Sequence, residues 1–450
     1  MSTLTNQYLT DVTITPLEQP RLFGDIYVSF FRVDDPGISL SGFPGNFDND
    51  LFYCANPASG VEFLALGSIF SLVADDYHSL NRVARSVLTN EPGELPCPLP
   101  DWFSYISFPF ESSPDIPYAR FVMPEYLIKQ ESSEFTLRVN THKDAFIGND
   151  NIVLDVKKLI DRLRNADRKI HSVSNIEILD DPRDIFYGGV EKIKSAISSG
   201  VISKGVLSRD RVIRFTGSFS FPYALEELQR NYPDCTTIFT NYPGRNFIAA
   251  TPERLFRLEG KTVKTEALAG SIRTEADADD QLIMEEQLLV SEKDYEEHVI
   301  VRDYLTARLA KVADKLIYSE KPLLKQLSNV THLRTPIDAT LKEGVTAIDL
   351  GKLLFPTPAL CGEPMEVAAT LINSIETRRR DLYGGVTGFI SNHGVSEFYV
   401  SIRCGFIDDE RATLYAGCGI VAGSDPQSEY EETNLKFIPL TSLFTDENKP

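Results

Sequence analysis

Basic residues are scarce in this chain. Lys and Arg number 45 against 65 Asp and Glu in 450 residues, a formal net charge of −20. A surface that tracks phosphates or lies on an anionic bilayer needs a basic face, so the balance excludes nucleic acid and membrane as partners. An anionic substrate would be repelled by the protein as a whole and drawn only by local charge. Cysteine is sparse too. Cys54, Cys97, Cys235, Cys361, Cys404 and Cys418 form no C-x-x-C pair and no zinc-ligand spacing. They read as buried thiols in a reducing compartment. No run approaches the ~18 apolar residues of a membrane span. Met1 to Leu9 has neither the basic nor the apolar segment of a secretory signal, so a cytoplasmic location is expected. There is no P-loop lysine motif, no dinucleotide-binding glycine fingerprint, and no Ser/His/Asp or Cys/His arrangement.

What is present is a folding composition, 42% hydrophobic and 10% aromatic, which excludes a disordered chain. Residues 1–150 are rich in Pro, Phe and Ser. Alternating runs such as Ile26-Tyr27-Val28-Ser29-Phe30-Phe31 predict strands there. Asp35-Pro36-Gly37, Phe43-Pro44-Gly45 and Glu91-Pro92-Gly93 predict turns, and a helix is expected near Ser79 to Leu88. After about residue 180 the pattern alternates. Val190, Ile193, Ala196 and Ile197 recur at helical spacing over Tyr187 to Ser199, with Gly200 where a C′ glycine belongs. Strands are predicted at Gly205 to Phe215, Thr236 to Thr240, Asn246 to Ala250, Glu397 to Ile402 and Arg411 to Ile420. Helices are predicted at Tyr223 to Arg230 and, with an interruption, Gln281 to Val312. No Pro/Gly/Ser-rich linker divides residues 180–445, so that part is expected to be one unit of an α+β fold. No self-complementary apolar stripe is evident, so a monomer is expected.

Four features carry chemistry, and each alone also has an ordinary structural reading. Asp294 and Glu297 are three apart, as are Glu429 and Glu432, so each pair shares one helix face. Two such faces would offer Mg²⁺ the hard oxygen ligands it takes; separately they are solvated acidic surfaces. Gly417 and Gly419 lie on one strand face and allow close approach of a ligand, or mark a bulge. Ser424 or Asp425 can cap the helix carrying Glu429 and Glu432. Lys204 opens a strand; facing a closed cavity it can act as a base, and otherwise it is an edge lysine. Glu266 precedes Ala267-Leu268-Ala269-Gly270, where an apolar wall would raise its pKa and suit it to general-acid work. His298 follows Glu297 and can orient it.

These features stand in a characteristic order. Lys204 to Arg209, Ala250 to Leu255, Thr265 to Ser271, Ser291 to His298, His332 to Thr335, Phe355 to Gly362, Tyr383-Gly384-Gly385 and Tyr415 to Glu432 form one series. The series resembles the chorismate-utilising enzymes, the family of anthranilate, isochorismate and salicylate synthases, over roughly residues 180–440, with residues 1–150 as a variable β-rich half. The resemblance implies a single large α+β fold with a central β-sandwich flanked by helices. It implies chorismate as substrate and Mg²⁺ as cofactor, the metal held by Glu297, Glu429 and Glu432 with Asp294 beside them. Gly270, Ser271, Ala359, Tyr383, Ile402, Arg403, Gly417, Gly419 and Lys436 fall at substrate-contact positions, and His332 matches an active-site histidine. Arg403 and Lys436 supply the local positive charge that a dianion requires.

The branch turns on few residues. Ammonia-using members resemble this sequence but carry glutamine where Lys204 stands, and a lysine can take a proton from water where a glutamine cannot. Salicylate synthases usually carry threonine where Ala359 stands. The resemblance therefore implies an isochorismate synthase, with Lys204 as base and Glu266 as acid. Gly205, Cys361 and Asp381-Leu382-Tyr383-Gly384-Gly385 depart from the usual pattern and bear on loop geometry. Routes to menaquinone, catechol siderophores and salicylate all pass through isochorismate.

Overall fold

Period-two alternation divides each strand between two cores. Along Ile26–Asp34, Val28 and Phe30 face one side, and Phe31 and Val33 the other. The structure, a computed structural model, describes residues 12–445 apart from 24, 35, 44–49, 77–78, 81–100, 109–116, 147, 167–169, 181–182, 243–244 and 392–393. The helix expected near Ser79 to Leu88 falls outside these beyond Leu80, as do Cys97 and the turns at Pro44-Gly45 and Glu91-Pro92-Gly93.

Among the described residues two antiparallel sheets of 14 and 10 strands form the centre. Both cross from the first 150 residues into the rest. In the larger sheet Leu51–Asn56 pairs with Thr236–Tyr242. In the smaller, Trp102–Ile106 pairs with Val386–Ile390. The sheets face each other through aromatic side chains: Phe52 meets Phe103 at 4.7 Å between ring centroids, and Phe63 meets Phe389 at 5.1 Å.

Helices cover the outer faces. Asn149–Arg164 buries Ile152, Val156, Leu159, Ile160 and Leu163 on the larger sheet, each side chain contributing about 1.5–3 kcal/mol of transfer free energy. Glu292–Val312 sets Val301, Leu305 and Leu309 on the smaller sheet. Arg183–Ser198 and Met365–Ile375 pack against Leu207, Cys418 and Ile420 at one end. This is the expected α+β sandwich flanked by helices.

Local signals explain several boundaries. After Arg183–Ser198, Gly200 adopts φ +71°. The Gly200 N–H donates to Ile197 O at 2.9 Å and the Val201 N–H to Ala196 O at 3.0 Å, the paired bonds of a Schellman stop. The expected interruption of the long helix is Ser291, which ends Ala278–Val290 and caps Glu292–Val312 by accepting from Asp294 N at 3.2 Å. The strand expected at Glu397 to Ile402 is Val395–Val400, leaving Ile402 and Arg403 in the turn that follows. Cys54, Cys235, Cys361, Cys404 and Cys418 are free and buried. No helix among the described residues is long and apolar enough to cross a membrane.

Candidate active site

Two strands build the floor. Lys204–Ser218 and Arg411–Ile420 run antiparallel with Val206 opposite Gly419 and Ser208 opposite Gly417. A Cβ at Gly417 would stand 2.6 Å from the Tyr383 hydroxyl and 2.8 Å from the Leu207 carbonyl oxygen, so only glycine fits. The opposite wall comes from the smaller sheet, where Thr262–Arg273 pairs with Val330–Leu341 and bulges between Ala269 and Ser271. Gly270 sits in that bulge at φ +78°. Between floor and wall lies a cavity lined by residues of both sheets, with a few convergent polar groups among apolar ones, as small-molecule sites have.

All ten residues expected at substrate-contact positions line it: Gly270, Ser271, His332, Ala359, Tyr383, Ile402, Arg403, Gly417, Gly419 and Lys436. Arg403 holds the left-handed φ of +49°, which a non-glycine residue keeps only under constraint, and its guanidinium points to His332 Nε2 at 3.4 Å. The His332 ring proton is then on Nδ1, 2.9 Å from Ser271 Oγ. Burial, with the Arg403 and Lys436 charges, holds the His332 pKa well below its ordinary value, so the ring is neutral. Lys436 donates to Glu432 Oε1 at 2.6 Å and to the Gly417 carbonyl at 2.9 Å.

The four acidic residues expected at the metal are partnered individually. Glu297 Oε1 is 2.9 Å from Lys204 Nζ, Glu429 Oε1 is 2.6 Å from Lys293 Nζ, and Glu432 is held by Lys436. Glu297 and Glu432 line the cavity; Glu429 is fully buried behind it. Burial alone would raise the Glu297 pKa, but the Lys204 and Lys293 charges override it and hold the carboxyl low. Burial and the neighbouring Glu432 push Glu429 up to about 7. Asp294 is turned to the start of its own helix, accepting from Ser291 Oγ at 2.5 Å and from Ser271 N at 3.4 Å. Among the described residues no group of three or more His, Cys, Asp or Glu side chains closes on a common metal position. The donor set still suits Mg²⁺ in kind, being all carboxylate oxygen. Gly419 keeps the space above Glu297 clear: a Cβ there would collide with Glu297 Oε1 and stand 2.7 Å from Lys204 Cε.

Two expectations need correction. His298 does not orient Glu297. Its Nε2 meets Thr335 Oγ1 at 2.8 Å and burial pushes its pKa down to about 4, so it ties its helix to the sheet. Glu266 has no apolar wall. Lys325 Nζ reaches its Oε1 at 2.6 Å and Arg334 Nε its Oε2 at 2.5 Å. Burial would raise its pKa, but these two cations hold it below the usual range, and the residue is not among those lining the cavity. The carboxyl with the expected character is Glu253, in the Thr251-Pro252-Glu253 corner between Arg245–Thr251 and Arg254–Glu259. It lines the cavity, and burial followed by repulsion from Glu266 pushes its pKa up to about 7. Sequence reasoning missed it; an acid placed directly after a proline at a strand-to-strand corner was the one local signal.

Comparison with known proteins gives a consistent picture. A family model described as chorismate binding enzyme matches residues 34–445. Isochorismate synthase MenF of Bacillus subtilis strain 168 is 34% identical over 267 residues, 59% of this chain and 57% of that protein. The chain thus spans little more than half the length of that relative. Anthranilate synthase component 1 of Saccharolobus solfataricus is 31% identical over 333 residues, 72% of this chain and 73% of that one. The solved structure of MenF, the menaquinone-specific isochorismate synthase from Escherichia coli, superposes with a TM-score of 0.79 over 95% of this chain and 96% of that one; at 24% identity this likeness concerns the fold.

Proposed function

The chain belongs to the chorismate-binding enzyme family, and on that footing we propose that it is an isochorismate synthase. Water adds at C2 of chorismate, the ring double bonds shift, and the C4 hydroxyl leaves as water. Lys204 takes the proton from the entering water, and Glu253 rather than Glu266 gives one to the leaving hydroxyl. The observation that carries this reading is a high-pKa carboxyl, Glu253, lining the cavity, with a fully buried lysine, Lys204, just behind the lining, 2.9 Å from the cavity residue Glu297 and beneath Gly419. An acid with a pKa near 7 still carries its proton in about half of the molecules at neutral pH and can release it, whereas Glu266 between two cations is held ionised.

Arg403 and Lys436 draw the dianionic substrate into an otherwise acidic protein, and neutral His332 with Ser271 supplies directional hydrogen bonds. Mg²⁺ would be held by Glu297, Glu429 and Glu432 and would neutralise and orient the ring carboxylate. Ala359 lines the cavity with a methyl group and offers no hydroxyl for a second step on the product. Incubation with chorismate and Mg²⁺, followed by chromatography, tests the reading. Isochorismate is expected; salicylate with pyruvate, an ammonia-dependent aminated product, or unchanged chorismate would each refute it.

A further inference from the structure

Glu266 is left without a catalytic task, yet its surroundings are built. It lies on Thr262–Arg273, and its two oxygens are taken by cations from two other strands, Lys325 on Leu323–Gln326 and Arg334 on Val330–Leu341. Lys325 makes a second bond. Its Nζ donates to the Pro252 carbonyl at 2.9 Å while holding Glu266 at 2.6 Å. Pro252 immediately precedes Glu253. A single ammonium group therefore joins Glu266 to the corner that carries the proposed acid.

We propose that Glu266 is a positioning residue: by occupying Lys325 and Arg334 it anchors the Pro252 corner and keeps the Lys325 charge from pairing with Glu253. The inference rests on the proposed roles of the site. The charges that face Glu253 come from four elements: Glu266, Lys325, Lys204 on the floor strand and Lys436 on Pro426–Thr441. Of these only Glu266 favours the protonated acid; the three lysines favour the carboxylate. Without the Glu266 charge, Lys325 is left 2.9 Å from the Pro252 carbonyl without its carboxylate partner, and its charge already acts on Glu253, the residue that follows Pro252. His332, Arg403, Glu297 and Glu432 across the cavity are the same in either case.

The test is Glu266→Gln, which keeps the shape and removes the charge. The proton on Glu253 is followed directly as the carboxylic-acid C=O infrared band that Glu253→Gln removes, recorded against pH with no substrate present. In Glu266→Gln that band should vanish at a pH lower by about one unit or more, an approximately tenfold loss of the protonated acid at pH 8. The alkaline limb of kcat/KM should move down with it. Lys325→Met should move both the other way, which covers the case in which Glu266→Gln does not fold. Glu266→Asp should return the limb most of the way. An unmoved band in a folded Glu266→Gln, or shifts of the same sign in both variants, would overturn the inference whether or not the parent turns over chorismate. An inactive parent whose band moves as expected would instead refute the proposed function.

Discussion

Lys204 and Glu297 meet at 2.9 Å, both buried, beneath Gly419. The lysine comes from the first residue of a strand in one sheet and the glutamate from a helix packed on the other, so the contact joins the two halves of the sandwich. Removing Lys204 takes away the hydrogen-bonded cation of a buried carboxylate and leaves it only the charges of Lys293 and Lys436, which is destabilising. Lys204→Ala should therefore lower the melting temperature measurably as well as reduce turnover by about 10²–10⁴. Thermal unfolding and steady-state kinetics on the same sample check both, and near-full activity would remove Lys204 from the role of base.

Gly419→Ala separates chemistry from stability. The atoms nearest the new methyl would be the side-chain ends of Glu297 and Lys204. These can shift, so the fold should be kept with a small change in melting temperature, while the displaced pair should reduce turnover by at least tenfold, about 1.4 kcal/mol in the barrier. Gly417→Ala meets a backbone carbonyl at 2.8 Å and should be the more destabilising of the two. The reverse order would contradict the placement of these strands.

Glu253 makes both stability and activity fall as pH rises through neutrality. Its folded pKa is about 7, whereas the unfolded chain releases this proton near the ordinary glutamate value of about 4.3. Its contribution to stability is fully present below that unfolded value and is lost as pH rises through 7, a change of about 4 kcal/mol. Glu253→Gln keeps the shape without the charge. It should match the parent in denaturant titrations at pH 4 and exceed it in stability at pH 8. Turnover should fall about 10²–10⁴-fold in the same variant, and parent activity should decline above pH 7 as the acid loses its proton. Equal stability differences at both pH values would contradict the assignment.

The metal proposal is tested by binding. Titration calorimetry with Mg²⁺ and chorismate together should show saturation in the parent and its loss in Glu432→Ala, with turnover lost alongside. An unchanged Mg²⁺ titration in that variant would remove Glu432 from the set.

Much of this arrangement was legible in the residues. The Gly417/Gly419 face, Asp425 as cap of its helix through Ser428 N, and the break before Asp294 are all local chemistry, and local chemistry survives folding. The order of motifs brought ten contact positions to one cavity. The acid was another matter. Glu266 stands in a strand and Glu253 at a corner between two strands, and what separates their chemistry is which cations fold beside them. Lys325 and Arg334 reach Glu266 from 59 and 68 residues away, a pairing that no local pattern announces. His298 failed for the same reason, since Thr335, which claims its Nε2, lies on a distant strand. The Asn149–Arg164 helix carries a clear spacing of Ile152, Val156, Leu159 and Leu163, but it falls between the two textures by which the chain was divided and so received no element.

The central claim is that water, handled by Lys204 and Glu253, replaces the C4 hydroxyl of chorismate. The most direct measurement is turnover in H₂¹⁸O with the product analysed by mass spectrometry. The account predicts isochorismate carrying one solvent oxygen, located at the C2 hydroxyl. Isochorismate without solvent oxygen, or a product that is not isochorismate, would contradict it.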